Sequence, residues 1–253
     1  MQILIPMAGA GRRFAEKGFS LPKPLIPVGG VPMVVRAVRD LPPASRHVFV
    51  CHPDHLANYP VRETLEGEFP GSVVISTPGL TEGQACSVRL GTPFLDPDES
   101  VLVAACDNTH VYDLDRFQAL TETSAIDAIL WTYRRDPRVL INPRWCGWVK
   151  TAGGWVSEVS CKVPISDSPM ADHAISGTFW FRSARLLEKG IDALVRDNQR
   201  VNNEFYLDSV PNVLIAWGNR VVVLEVDKYV GWGTPDDLQD YFRGERHFGR
   251  RAA

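Results

Sequence analysis

Two cationic features lie close together near the start of the chain. Gly9-Ala10-Gly11 is followed at once by Arg12 and Arg13, and Lys23 stands between Pro22 and Pro24. Glycine lets a ligand approach the backbone closely, and successive amides in such a turn can form an anion-binding nest. The glycines alone leave three readings open: a dinucleotide loop, a phosphate loop, or a tight turn with solvated arginines. The dinucleotide pattern G-x-G-x-x-G needs a third glycine where Phe14 stands, and a P-loop needs Gly-Lys-Ser/Thr, which this stretch lacks. Lys23 shifts the balance. A proline on each side restricts the backbone around it, and a rigidly placed ammonium suits a phosphate held at a fixed point. The six histidines form no close pair with metal-ligand spacing beyond His52-x-x-His55, which reads as helix capping and surface.

These residues need a sheet edge to hold them. Short apolar, β-branched runs at 2–7, 47–51, 72–76, 100–105 and 127–133 read as buried strands. Between them 33–40, 83–91 and 114–123 read as helices. That alternation predicts a parallel sheet covered on both faces, with ligands at the carboxyl ends of the strands. The loops after Met7, Ser76 and Ala105 are therefore expected to share one crevice. Past residue 135 the rhythm changes. Residues 146–150 and 155–160 predict a hairpin turning at Ala152-Gly153-Gly154, and 177–181 a further strand. A helix is expected at 184–197, a strand at 220–226, and a closing helix at 235–242 with Thr234 as N-cap. The basic residues from 243 onward read as a solvated, frayed end.

Composition sets wider limits. The 253 residues are 45% hydrophobic and carry a formal net charge of −3, which argues against nonspecific nucleic-acid binding. Five scattered cysteines without a C-x-x-C pair fit buried free thiols in a reducing, cytoplasmic setting better than disulfides or zinc. The apolar start has no basic segment and is broken by glycine, so it reads as a first strand rather than a signal peptide. No run approaches the ~18 apolar residues of a membrane span, and no membrane partner is expected.

The combination G-x-G-x-R, a short spacer and P-K-P-L-I-P-V-G-G-V-P-M resembles the sugar-1-phosphate nucleotidyltransferases, the nucleotide-sugar pyrophosphorylases. The resemblance implies an α/β fold of the nucleotide-diphospho-sugar transferase type: a Rossmann-like, mostly parallel mixed sheet with helices on both faces and a small β-rich acceptor lobe. It implies a single domain over 1–245, with 1–135 as nucleotide-binding half, 136–245 as acceptor-binding half, and a flexible tail at 246–253. Ala8, Gly9, Ala10, Gly11 and Arg12 would line the nucleotide phosphates, and Glu82, Gly83 and Gln84 would meet the base. Arg13, Lys23 and Asp107 would be catalytic, with Mg²⁺ on Asp107. Asn108, Gly147, Lys162, Gly177 and Glu204 would face the acceptor. Within Gly177-Thr178-Phe179-Trp180-Phe181, Trp180 and Phe181 serve equally well as plain core.

Two departures from the pattern fall on the acceptor side. Where many members carry a second metal-binding aspartate, this chain has Gly231, leaving Asp227, Glu225 or Asp208 as substitutes within sequence reach. Where the family often has Glu before the acceptor lysine, this chain has Cys161, a poor hydrogen-bond acceptor. The resemblance thus implies an enzyme of the nucleotidyltransferase class. It would join the NMP part of a nucleoside triphosphate to a sugar 1-phosphate or similar phosphorylated acceptor and release pyrophosphate. The alternatives are a cytidylyltransferase acting on a non-sugar, phosphocholine-like ester, a non-catalytic sensor of nucleotide-sugars, and a Rossmann oxidoreductase. The expected partners are the triphosphate, the phosphorylated acceptor and a further copy of the chain in a homo-oligomer.

Overall fold

The computed structural model describes residues 1–249, with side chains to residue 244. In the first part β1 (Gln2–Met7), α1 (Arg12–Glu16), the small hairpin β2–β3 (Pro27–Val28 and Val31–Pro32), α2 (Met33–Arg39), β4 (Arg46–Cys51), α3 (Pro53–Asn58) and α4 (Val61–Glu68) follow one another. Then come β5 (Val73–Ser76), α5 (Gln84–Gly91), β6 (Val101–Val103), β7 (Asn108–Val111), α6 (Leu114–Glu122) and β8 (Ala128–Tyr133). The second part holds β9 (Gly147–Ala152), β10 (Trp155–Cys161), β11 (His173–Phe181), α7 (Ala184–Arg196), α8 (Val210–Ala216), β12 (Val221–Glu225), β13 (Lys228–Gly231) and α9 (Pro235–Gly249).

Strands β6, β1, β4 and β5 run parallel, and β12 runs parallel to β8. β11 is antiparallel to β6, β8 and β9, making one mixed nine-stranded sheet. Alternation along the strands builds two cores. Ile3, Ile5 and Met7 of β1 face Val34, Val35, Leu65 and Phe117 of α2, α4 and α6. Leu4, Val48 and Val50 face Val88, Leu187, Ile191 and Leu214 of α5, α7 and α8. A third cluster joins Phe14, Ile26, Val28 and Met33 to Trp232 and Leu238, seating α1 and the hairpin against α9. Trp180 and Phe181 are core, at 2% and 0% exposure.

β11 begins four residues before the predicted strand, and this extension shapes the site. At His173 and Ala174 it lies beside β9, whereas at Phe179–Phe181 its neighbour on that side is β6. The change occurs across a register break between Ile175 and Phe179, where Gly177 adopts φ +86. A side chain would be strained there. The gap between β6 and β9 opens the sheet at this point, and β9 with β10 continues the same sheet beyond it.

Three expectations are corrected. The closing helix runs on to Gly249 instead of stopping near 242, so the tail expected at 246–253 is helical as far as 249; residues 250–253 lie outside the described residues. Thr234 does cap this helix: its Oγ1 accepts from the Asp237 amide and Asp237 Oδ2 accepts from the Thr234 amide, a reciprocal box. His52 caps α3 by accepting from the Asp54 amide, but His55 is buried, not surface. Of the five free cysteines, Cys86 and Cys146 are only half-buried.

His110 on β7 is buried against the Trp131 ring, 5.2 Å away, and its Nε2 has no hydrogen-bond partner. Burial pushes its pKa down to about 3. The folded state therefore excludes a proton that the unfolded chain binds below its ordinary value near 6.5. Stability is full above that value and falls as the pH drops toward 3, by about 2 kcal/mol from this group at pH 5. Urea midpoints measured from pH 7 to 5 should fall, and His110→Gln should flatten that slope. An unchanged slope in the variant would remove His110 as its source. Burial lowers His47, His55 and His173 in the same direction, so part of the slope remains.

Candidate active site

Where β11 leaves β9 for β6, a cleft of about 460 Å³ opens at the carboxyl ends of the parallel strands. The segments that follow β1, β5 and β6 meet in its wall, with Arg13 in the first turn of α1, Gln84 opening α5 and Asp107 in the loop after β6. Asn108, Gly147, Lys162 and Gly177 line it from the other side, with Lys23 beside Asp107. The remaining sequence candidates stand back from the wall. Ala8 is buried at the end of β1, and Gly9, Ala10 and Arg12 are exposed. Gly11 caps α1, and a Cβ built on it would lie 3.5 Å from Lys23 Cβ, so loop and lysine adjoin. Glu82 is ion-paired with Arg200 outside the cleft, and Glu204 is exposed beside Tyr206.

Lys23 opens a short 3-10 turn, Lys23–Leu25, with Pro22 extended before it and Pro24 buried after it. Its ammonium donates to Asp107 Oδ2 and stands 5.7 Å from the Phe14 ring. Burial alone would lower its pKa; the Asp107 carboxylate more than offsets this, and the net shift is upward. Lys23 is therefore charged throughout the ordinary pH range. The Arg13 guanidinium lies 5.6 Å from the Trp145 ring, spanning the cleft mouth. Lys162, at φ +65, donates to the Trp145 carbonyl and stands 5.1 Å from the Tyr206 ring. Asn108 Nδ2 donates to the Ser176 carbonyl (2.9 Å), pinning the opened edge of β11.

Several wall residues carry no motif. Arg138 is held by Asp136 and donates to the Tyr229 carbonyl (3.0 Å), with its guanidinium 5.4 Å from the Tyr229 ring. Tyr229 stacks on Tyr133, 4.4 Å apart and near parallel. Burial raises the Tyr229 phenol, with Asp107 adding to the shift. Its register opposite His110 in the β7–β13 ribbon brings it here, and no local pattern signals that pairing. Asp237 was within reach of sequence reasoning through the Thr-x-x-Asp cap at 234–237.

The two departures find their places. Gly231 is buried, and a Cβ there would lie 2.9 Å from Tyr229 Oη, so the phenol occupies the space beside it. Of the three substitute carboxylates, Glu225 clamps Arg134, Asp227 is exposed away from the cleft, and Asp208 lines the cleft. Cys161 is buried, does not line the cleft, and its thiol is pushed up to about 12 by burial and by Asp208.

A divalent ion would find two hard carboxylates at one corner. Asp107 lies 3.3 Å from a Cβ built on Gly233, and Asp237 is bonded to the adjoining Thr234. Among the described residues no group of three or more His, Cys, Asp or Glu could enclose a metal. Mg²⁺ takes oxygen ligands, keeps several waters and is held by one or two carboxylates together with substrate phosphates, the donor type that Asp107 and Asp237 offer.

Residues 3–177 match the family described as the MobA-like NTP transferase domain. A curated relative, CMP-5'-(3-aminopropyl)phosphonate synthase from Streptomyces rubellomurinus, is 31% identical over 264 aligned positions. The alignment covers 98% of this chain and 39% of that protein, so the chain spans well under half of its relative's length. Among solved structures, a nucleoside-diphosphate-sugar pyrophosphorylase from Vibrio cholerae superposes with a TM-score of 0.77 at 21% identity, covering 95% of this chain and 99% of the other. An inositol-1-phosphate CTP transferase from T. maritima superposes at 0.71 and 16% identity, covering 95% and 93%. At these identities the superpositions establish the fold. No helix among the described residues is long and apolar enough to cross a membrane.

Proposed function

Because the chain belongs to the MobA-like NTP transferase domain family, we propose that it transfers a nucleoside monophosphate, in the first instance CMP, from the triphosphate to a phosphoryl oxygen of a small phosphate or phosphonate acceptor. The observation that carries this reading is the convergence of Arg13, Lys23, Arg138 and Lys162 on one cleft at the carboxyl ends of the strands. Such a set suits a triphosphate at one end and a second anion at the other. Residues 1–135 would form the donor half and 136–245 the acceptor half. The CMP-phosphonate synthase relative and the CTP transferase fold neighbour support cytidine as the base.

In this reading an acceptor oxygen attacks the α-phosphorus, the new P–O bond forms, and the bond to the β-phosphate oxygen breaks in line. Pyrophosphate leaves with the electron pair. The acceptor oxyanion is already deprotonated near neutral pH, so no general base is required. The chain's contribution is positioning and charge neutralisation. Lys23 steadies the α-phosphate, Arg13 holds the β and γ phosphates, and Lys162 anchors the acceptor. Mg²⁺, held by Asp107 with Asp237 adjoining, would supply Lewis-acid neutralisation of the phosphates.

A sugar 1-phosphate acceptor is the second reading, favoured by the motif resemblance and disfavoured by Cys161, which is buried, does not line the cleft and is a poor acceptor for sugar hydroxyls. The test is a matrix of four nucleoside triphosphates against alkylphosphonates, phosphocholine, inositol 1-phosphate and hexose 1-phosphates, read by pyrophosphate release. Release is expected with CTP and a non-sugar acceptor. Release with hexose 1-phosphates alone would favour the second reading. Triphosphate binding without release for any pair would make the protein a sensor and end the proposal.

A further inference from the structure

Resting on the transfer reading above, this inference concerns which acceptor the cleft selects. Asp208 is the odd carboxylate of the wall. It is 9% exposed, and its charge sits deeper than that of Asp107 or Asp237. Asp107 is paired with Lys23 and Asp237 is bonded to Thr234, whereas Asp208 has no side-chain hydrogen bond or ion pair among the described residues. Only its own backbone amide and the more distant field of Lys162 favour its charge. The Lys162 ammonium itself bonds the Trp145 carbonyl.

A buried carboxylate with no partner is costly, and such groups persist where a ligand completes them. Gly147 keeps this one open. A Cβ at 147 would fall 2.2 Å from Asp208 Oδ2 and 3.1 Å from Ile175 Cδ1. Residue 147 is not among the positive-φ positions, so its backbone does not demand glycine; the space does. A carboxylate can only accept, so the missing partner is a donor. A neutral hydroxyl would leave the buried charge uncompensated, whereas an ammonium cancels it. The Tyr206 ring beside Lys162 adds a π face of the kind that favours cations.

We propose that Asp208 is the specificity-determining residue of the acceptor subsite and binds an ammonium group of the acceptor. The acceptor is then a short zwitterion, an aminoalkyl phosphonate or phosphate. Its oxyanion lies at Lys162 and its ammonium at Asp208; both line one cleft and the Lys162 charge acts on Asp208, so the spacer is only a few carbons. Gly147 is a positioning residue that leaves the Asp208 carboxylate room.

The experiment compares 3-aminopropylphosphonate with propylphosphonate, which differ only in the amine, using CTP and pyrophosphate release. Wild type should prefer the amine by on the order of 10² or more in kcat/KM, as expected of a site with a buried charged group left unpaired by the lesser substrate. Asp208→Asn should shrink that ratio to about tenfold or less, mainly through KM, at an unchanged melting temperature. If Asp208 merely orients Lys162, both acceptors suffer alike and the ratio survives, which overturns the proposal. So does a wild type without preference. Calorimetry of the two phosphonates on wild type and Asp208→Asn, without nucleotide, reads the same selectivity apart from turnover. Amine-dependent binding that Asp208→Asn abolishes, with no pyrophosphate released, would sustain the subsite and overturn the transfer reading. Binding of neither phosphonate, together with no amine preference in turnover, overturns the subsite.

Discussion

Replacing Lys23 by alanine is expected to lower kcat/KM for pyrophosphate release by on the order of 10² or more, the scale seen when one preorganised donor to a developing oxyanion is removed. The size follows from placement. Pro22 and Pro24 fix the backbone on either side, the ammonium sits in the cleft with only 20% side-chain exposure, and its raised pKa keeps it charged. A charge held in place before the substrate arrives costs no reorganisation when the transition state forms. Its hydrogen-bond partner among the described residues is a carboxylate that the proposed metal would neutralise, freeing the ammonium for phosphate. The loss should therefore appear in kcat as well as KM. Arginine should rescue poorly, because its planar fork needs a different approach from a stem of this length on a fixed backbone. Stability should change little, since Asp107 keeps 23% side-chain exposure and water can replace the lost partner. Near-wild-type turnover in Lys23→Ala, with the fold intact by melting temperature, would remove this lysine from the chemistry.

How much of this was readable beforehand depends on what each residue's identity reflects. β1 and β8 are buried along almost their whole length, and β4 from Val48 to Cys51, in mainly apolar or β-branched runs, so local pattern specified them. The β7–β13 ribbon did not announce itself. Asn108-Thr109-His110 and Lys228-Tyr229 are polar, and their pairing spans more than a hundred residues. α4 is likewise polar, its eight residues Val61–Glu68 burying only Val61 and Leu65, whereas α3 was signalled by its His52 cap. In the site, Arg13, Lys23, Asp107 and Lys162 were singled out because each sits in a motif whose spacing carries information. Arg138, Tyr133 and Tyr229 reach the cleft through sheet register and stacking, which no short window encodes. Asp208 falls between the two. Its place two residues after Tyr206 is plain in the sequence, whereas its depth and its lack of a side-chain partner among the described residues, on which the proposed ammonium subsite rests, come only from the fold.

Gly83 carries the largest expected effect on stability. The sequence suggests a glycine whose backbone meets a nucleobase, but its φ of +134 and ψ of 175 place it in a region essentially reserved for glycine. The space a side chain would fill belongs to Phe205: a Cβ on Gly83 would lie 2.5 Å from the Phe205 carbonyl oxygen and 2.6 Å from its nitrogen. Both of those backbone groups are in use. The Phe205 amide donates to the Glu82 carbonyl at 2.8 Å, and its carbonyl accepts from the Ala85 amide at 3.0 Å, so the two segments are stapled on either side of Gly83. Gly83→Ala cannot keep both bonds. Strain of about 1–3 kcal/mol with the loss of one or two backbone bonds near 1 kcal/mol each predicts destabilisation of about 2–5 kcal/mol, read as a lower urea midpoint at constant m-value. A midpoint shift equivalent to less than about 1 kcal/mol would mean that the Phe205 backbone yields easily. The consequence for function runs across the cleft. Tyr206 and Asp208 of the cleft wall follow Phe205 within three residues, so pushing it aside moves the proposed acceptor subsite although Gly83 belongs to the proposed nucleotide side. In whatever fraction still folds, the KM of the acceptor should therefore rise more than that of the triphosphate. A rise confined to the triphosphate would return Gly83 to the role its sequence context suggests.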